Sequence, residues 1–152
     1  MEQRDAKPTE QRDIKPTEQR DDEQANGRSV LVVEDDREIN ELIGAYTQIA
    51  GFEYRSALDG TTALREAHER VPAAVVLDLM LPDIDGFEVC QRLKSEPDTK
   101  PIPVIILTAL GGDANKQRGH ACGAVEYLLK PFDPDVLLKA LSRHANGHAD
   151  VK

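Results

Sequence analysis

Tryptophan is absent from the 152-residue sequence and aromatic residues make up only 4% of it, so no ligand pocket walled by aromatic rings is expected. A core of Val, Ile, Leu and Ala is expected instead. Only two cysteines occur, Cys90 and Cys122, and they lack metal-ligand spacing, which points to reduced, buried or half-buried thiols. No apolar run approaches the roughly 20 residues that cross a bilayer, and the N-terminus is polar where a signal peptide needs an apolar stretch; a cytoplasmic protein is expected. Excess positive charge is missing too. The formal net charge is -9, which argues against gripping nucleic-acid phosphates or an anionic membrane by general electrostatics. The length suits one ordinary domain with a single core.

What is present begins with a tandem repeat. Residues 2–9 (EQRDAKPT) recur as 10–17 (EQRDIKPT), and a third copy starts at Glu18 before dissolving into DDEQANG. Mixed charge, a proline in each full copy and a single branched apolar residue, Ile14, cannot offset the entropy of ordering, so residues 1–28 read as a disordered tail. Residues 29–145 read as the folded domain and 146–152 as a flexible C-terminus.

From Ser29 onward short aliphatic runs alternate with amphipathic stretches, the pattern of a parallel sheet covered by helices on both faces. The strand candidates are 30–33, 52–57, 74–77, 104–107 and 125–128. Ile39, Leu42, Ile43, Tyr46 and Ile49 mark an apolar helical face, and Gly51 stands where that helix can stop in the left-handed conformation. Val89, Cys90 and Leu93 mark a second helix before Pro97. A last helix opens with Asp133 as N-cap and Pro134 at its first position, and should bury Val136, Leu137, Ala140 and Leu141. The fold class is therefore α/β, a small doubly wound domain of five strands and five helices, with its site beyond the carboxyl ends of the strands.

Those ends carry the chemistry. The first strand runs into Glu34, Asp35 and Asp36, the third ends at Asp78, the fourth at Thr108, and the fifth runs into Lys130 and Pro131. Parallel strands bring these side chains to one edge, where clustered carboxylates repel one another unless a cation intervenes. Hard oxygen ligands with room for water and phosphate suit Mg²⁺. A carboxylate is a competent nucleophile toward phosphorus once charge is neutralised, a task open to the cation and Lys130, while the Thr108 hydroxyl is placed to bond an arriving phosphoryl oxygen. Asp36 reads as the cap of the first helix. Asp83, Asp85 and Gly86 read as residues that shape the loop after the third strand. His68, His120, His144 and His148 read as surface residues.

Four motifs, LVVEDD at 31–36, VVLDLMLPDIDG at 75–86, ILTA at 106–109 and EYLLKPF at 126–132, closely resemble the receiver domain of two-component response regulators. The resemblance implies a flavodoxin-like sheet of order 2-1-3-4-5. It implies Asp78 as phosphoacceptor and Mg²⁺ bound by Asp35, Asp78 and the backbone carbonyl of Met80, with Glu34 acting through water. It further implies a cis peptide between Lys130 and Pro131, and Tyr127 as the aromatic that swings inward when Thr108 closes on the phosphate.

The donor implied is a sensor histidine kinase or a histidine phosphotransfer protein. The chain would be a phosphoacceptor that promotes its own phosphotransfer and dephosphorylation rather than an enzyme acting on other substrates. The Gly111 and Gly112 pair makes the following loop easy to rearrange, which would alter the face of the fourth helix, fifth strand and fifth helix. With no DNA-binding helices after residue 145, output through an unidentified downstream protein is expected, from a monomer or weak dimer. A phosphate sink, a relay and a phosphorylation-independent adaptor remain open as alternatives. A phosphatase of the haloacid-dehalogenase-like class would need a second Asp where Met80 stands. A flavodoxin-like phosphate binder would need a Gly, Ser or Thr-rich loop where EDD stands.

Overall fold

The strands that read as uninterrupted aliphatic runs are the ones buried on both faces. In the computed structural model, which describes residues 28–146, every residue of β1 (Ser29–Val33), β3 (Ala74–Leu77) and β4 (Val104–Thr108) is buried. β2 (Glu53–Ala57) and β5 (Glu126–Leu129) are the edges and keep polar, partly exposed positions. The sheet is wholly parallel and ordered β2-β1-β3-β4-β5, the doubly wound topology expected. The repeat, His148 and the residues from 147 onward lie outside the described residues.

Alternation along each strand divides the core in two. Leu31, Val33, Val75, Leu77, Val104 and Ile106 pack with α2 (Gly60–Glu69), α3 (Gly86–Ser95) and Tyr127. Val30, Val32, Ala74, Val76, Ile105 and Leu107 pack with α1 (Arg37–Ile49) and α5 (Pro134–Leu141). Each fully buried Leu, Ile or Val contributes about 1.5–3 kcal/mol. The register levels the strand ends: Val33 pairs with both Ala57 and Leu77, and Thr108 pairs with Leu129. The residues just beyond those ends therefore share one edge.

Local signals set the helix ends. Asp36 caps α1 by accepting the Ile39 N–H at 3.1 Å, as expected, and Gly51 has a φ of 96° in the turn that follows. Asp133 caps α5 with Pro134 in the first turn. The expected face of α1 needs correction. The helix buries Asn40, Ile43, Gly44 and Thr47, while Leu42 is 48% and Ile49 70% exposed. The helix is turned by about one residue because Tyr54 lies against Gly44 and because the Asn40 amide is bonded inward. Val136 is also exposed, since Leu137, Ala140 and Leu141 take the sheet side of the short α5. The fifth strand begins one residue late, with Val125 still in the preceding turn, where its N–H bonds the Val104 carbonyl. Phe52, expected in the second strand, belongs to the α1–β2 turn, although its ring is buried and stacked by Arg28 at 5.3 Å. α4 (Asp113–Ala121) buries only Gly119. A π-helical turn, Ser142–Asn146, follows α5.

Candidate functional site

Asp78 is held at the end of β3 by its own N–H, which bonds the Val33 carbonyl at 2.9 Å, so β1 and β3 deliver their acidic ends side by side. Glu34, Asp35 and Asp78 offer carboxylate oxygens that all lie within 4.8 Å of one another, with Glu34 and Asp78 buried and Asp35 exposed. Behind β3 the chain returns in α3, whose first residue is Gly86. A Cβ there would lie 2.4 Å from Leu79 Cα and 2.6 Å from the Asp78 carbonyl oxygen, so only glycine lets the helix start against this backbone. The Asp78 carboxylate also accepts the Met80 N–H at 3.2 Å, which folds the β3–α3 loop over the acidic edge.

Lys130 reaches in from β5. Its backbone N–H bonds the Thr108 carbonyl at 2.9 Å, and its peptide bond to Pro131 is cis. Its ammonium donates to Glu34 Oε1 at 2.5 Å and to Asp78 Oδ2 at 3.0 Å. Burial alone would lower the Lys130 pKa, but the bonds and attraction of the two carboxylates outweigh it and raise the pKa above the usual value. Burial pushes the Glu34 pKa up, opposed by Lys130 and by the Asp36 N–H that its carboxylate accepts at 3.0 Å. With all three acids ionised and the lysine protonated, the cluster carries a formal charge of about minus two. That deficit and an all-oxygen donor set fit a single Mg²⁺, a hard ion that takes few protein ligands and keeps several waters. No helix among the described residues is long and apolar enough to cross a membrane.

The family model for the response regulator receiver domain matches residues 30–142. The chain belongs to that family. It is 44% identical over 124 residues to the transcriptional regulatory protein GltR of Pseudomonas aeruginosa, covering 80% of this chain and 51% of GltR. The chain spans about half the length, or less, of the curated relatives it matches. Among solved structures it resembles a putative response regulator from Chloroflexus aurantiacus, with a TM-score of 0.74 and 35% identity over 78% of this chain and 98% of that one. It also resembles the receiver domain of the sensor histidine kinase PA1611 from Pseudomonas aeruginosa, described with a magnesium ion in its active site cleft. That match has a TM-score of 0.72 and 28% identity, over 79% of this chain and 98% of that one.

The receiver's remaining candidates lie around the same edge. Thr108 is fully buried at the end of β4, and its Oγ1 accepts the Leu110 N–H at 3.3 Å. The Tyr127 ring is buried against Gly119 of α4, and its hydroxyl donates to the Leu110 carbonyl at 2.5 Å. Thr108 and Tyr127 thus engage the N–H and the carbonyl of one residue, Leu110. Gly112, at the start of α4, has a φ of 100°. Met80 is exposed in the loop beyond Asp78. Beside Lys130 an apolar groove of about 290 Å³ opens between Ile39, Leu42, Tyr46 and Phe132.

Asp83 and Asp85 lie in the β3–α3 loop, and each also fixes a helix start. Asp85 caps α3 through the Phe87 N–H. Asp83 accepts the Gly60 and Thr61 N–H groups and the Thr61 hydroxyl, tying α2 to the loop, and these bonds hold its carboxyl well below the usual carboxylate range. His68 is exposed, as expected, and bonds Glu96 at 2.6 Å, whereas His144 departs from the surface reading: it is half-buried and bonds Glu126 at 2.8 Å. Their partners are 28 and 18 residues away in sequence, out of reach of local pattern. Cys90 and Cys122 are free thiols, one buried and one half-buried.

Sequence reasoning missed Asn40 and Tyr54, which tie the β1–α1 turn to the sheet. The available signal was a second stripe on α1, Asn40, Gly44 and Thr47, at helical spacing beside the apolar one.

Proposed function

We propose that Asp78 accepts a phosphoryl group from a phosphohistidine of a sensor kinase or histidine phosphotransfer protein, and that the modified domain then changes its protein partners. The observation that carries this reading is the convergence of Asp78, Asp35 and Glu34 within 4.8 Å, with the Lys130 ammonium 3.0 Å from Asp78.

Asp35, Asp78 and the Met80 carbonyl would hold Mg²⁺, with Glu34 acting through water. Bound there, the ion supplies positive charge to the phosphoryl oxygens. An Asp78 carboxylate oxygen attacks phosphorus, the bond to the donor nitrogen breaks, and the electron pair leaves with the imidazole. Lys130 neutralises negative charge that would otherwise repel the incoming group, so catalysis here consists of positioning and charge compensation. Its bond to Asp78 can pass to the phosphoryl group once that carboxylate is esterified.

Thr108 then exchanges its bond with the Leu110 N–H for one with a phosphoryl oxygen. That frees the Leu110 backbone, to which Tyr127 is also bonded. Gly111 and Gly112 follow directly, and α4 behind them buries only Gly119, with Arg118 laid over the Phe87 ring at 4.0 Å. The result is a shift between two states separated by a few kcal/mol at most.

Incubation with Mg²⁺ and acetyl phosphate or phosphoramidate, followed by intact mass measurement, tests this reading. One hydroxylamine-labile adduct on the wild type and none on Asp78→Asn is expected. An adduct of equal yield on the variant contradicts it.

A further inference from the structure

Asn40 is a buried amide in the first half of α1, only 1% exposed, yet it faces the strand ends rather than the apolar core. Its Nδ2 donates to three carbonyls: Val32 at 3.2 Å, Glu34 at 3.0 Å and Ala57 at 3.2 Å. These belong to the end of β1, the peptide that leads into Asp35, and the end of β2. One amide thus gathers the backbone from which Glu34 and Asp35 project. Nδ2 must face this carbonyl cluster, so Oδ1 faces the other way, where the Tyr54 hydroxyl from β2 donates to it. Gly44, one turn along α1, makes room for that hydroxyl: a Cβ there would lie 2.5 Å from Tyr54 ring atoms.

We propose that Asn40 and Tyr54 are positioning residues of the acidic site, the tyrosine fixing the amide and the amide fixing the peptide between Glu34 and Asp35. The inference rests on the reading of Glu34, Asp35 and Asp78 as a divalent-cation site. Neither residue touches the cation or the phosphoryl group. Each acts through the backbone, as groups behind metal ligands do when they orient them. Tyr54 is also placed to fix the Asn40 side chain on the correct rotamer, because a buried amide with its oxygen unpaired would turn toward another donor.

The test is Tyr54→Phe, which keeps the ring on Gly44 and removes only the hydroxyl. In metal-free protein, ¹⁵N relaxation should show raised mobility at the amides of Asp35 and Asp36 and no change at β4. Titration calorimetry with Mg²⁺ alone should show affinity falling about tenfold, the low end of the loss seen when a group behind a metal ligand is removed. Gly44→Ala, which displaces the ring, should give the same two signatures.

Unchanged amide mobility, or unchanged Mg²⁺ affinity beside a lowered Tm, would overturn the inference, because the network would then be scaffold only. Wild-type protein that takes up no Mg²⁺ would fail at an earlier step: the cation-site reading itself falls, and the inference with it.

Discussion

Replacing Lys130 by Met removes the ammonium that meets Glu34 and Asp78 and leaves an apolar stem in its place. The ammonium sits 2.5 Å from Glu34 and 3.0 Å from Asp78, whose side chains are only 3% and 7% exposed. Removing one partner of a buried ion pair costs about 3–5 kcal/mol. The lysine side chain is itself 18% exposed, so water reaches the gap and the lower end, about 3 kcal/mol, applies. With an m-value of about 1.5 kcal/mol/M, the urea midpoint of metal-free protein at neutral pH should fall by about 2 M.

Saturating Mg²⁺ should reverse part of this loss. The variant cluster is more negative by one charge, and cation affinity raised about tenfold returns about 1.4 kcal/mol. Urea titrations followed by circular dichroism, in chelator and in Mg²⁺, measure both. The sign with pH follows from the raised Lys130 pKa. Its contribution is complete below its ordinary value of 10.5 and is lost only as pH climbs through the raised one, so the gap between wild type and variant persists into the alkaline range. Toward acid, protonation of Glu34, whose pKa is raised by burial, relieves the variant and narrows the gap. An equal deficit with and without Mg²⁺, or none in chelator, would show that Lys130 does not offset the charge of the acidic cluster.

Gly86→Ala should cost at least about 2 kcal/mol, because the added carbon meets backbone rather than a side chain that can swing away. Differential scanning calorimetry should show a fall in Tm of about 8 °C, and acetyl phosphate should modify Asp78 more slowly, since its own backbone is displaced. Asp83→Ala should loosen the start of α2, with a pH signature of fixed sign. The Asp83 pKa is depressed, so its contribution is present above the ordinary 3.8 and is lost as pH falls below it; the two proteins should converge in acid in urea titrations. Burial pushes the Cys90 thiol up to about 12, so a thiol reagent at pH 8 should label half-buried Cys122 first and Cys90 only on unfolding.

How much of this was legible in sequence depends on the range of the signal. The central strands were legible because burial on both faces demands unbroken aliphatic runs, and a polar residue directly after each run marks its end. Glu34, Asp35, Asp78, Thr108 and Lys130 could be placed on one edge for that reason alone. The buried face of α1 was legible in part: Ile39, Ile43 and Tyr46 pack on the core, but a polar network and a close ring approach to Gly44 turn Leu42 and Ile49 outward. Arg55 shows the same limit. A charged residue on an edge strand reads as solvent-facing, yet it is 8% exposed, with its guanidinium bonded to the Arg70 and Glu66 carbonyls at the end of α2 and to Ser29 Oγ. Close approach at Gly86 is likewise a property of where a helix returns to the sheet, which a single glycine in a turn-rich loop does not reveal.

The most direct test of the account is to locate the phosphoryl group itself. Wild-type protein treated with Mg²⁺ and acetyl phosphate is reduced with borohydride, which converts a phosphoaspartyl residue to homoserine, and is then digested and sequenced by mass spectrometry. Homoserine is expected at position 78 and at no other aspartate, and is lost when Mg²⁺ is chelated. Homoserine at Asp35 or Asp36, or a yield at 78 that is indifferent to Mg²⁺, would contradict it.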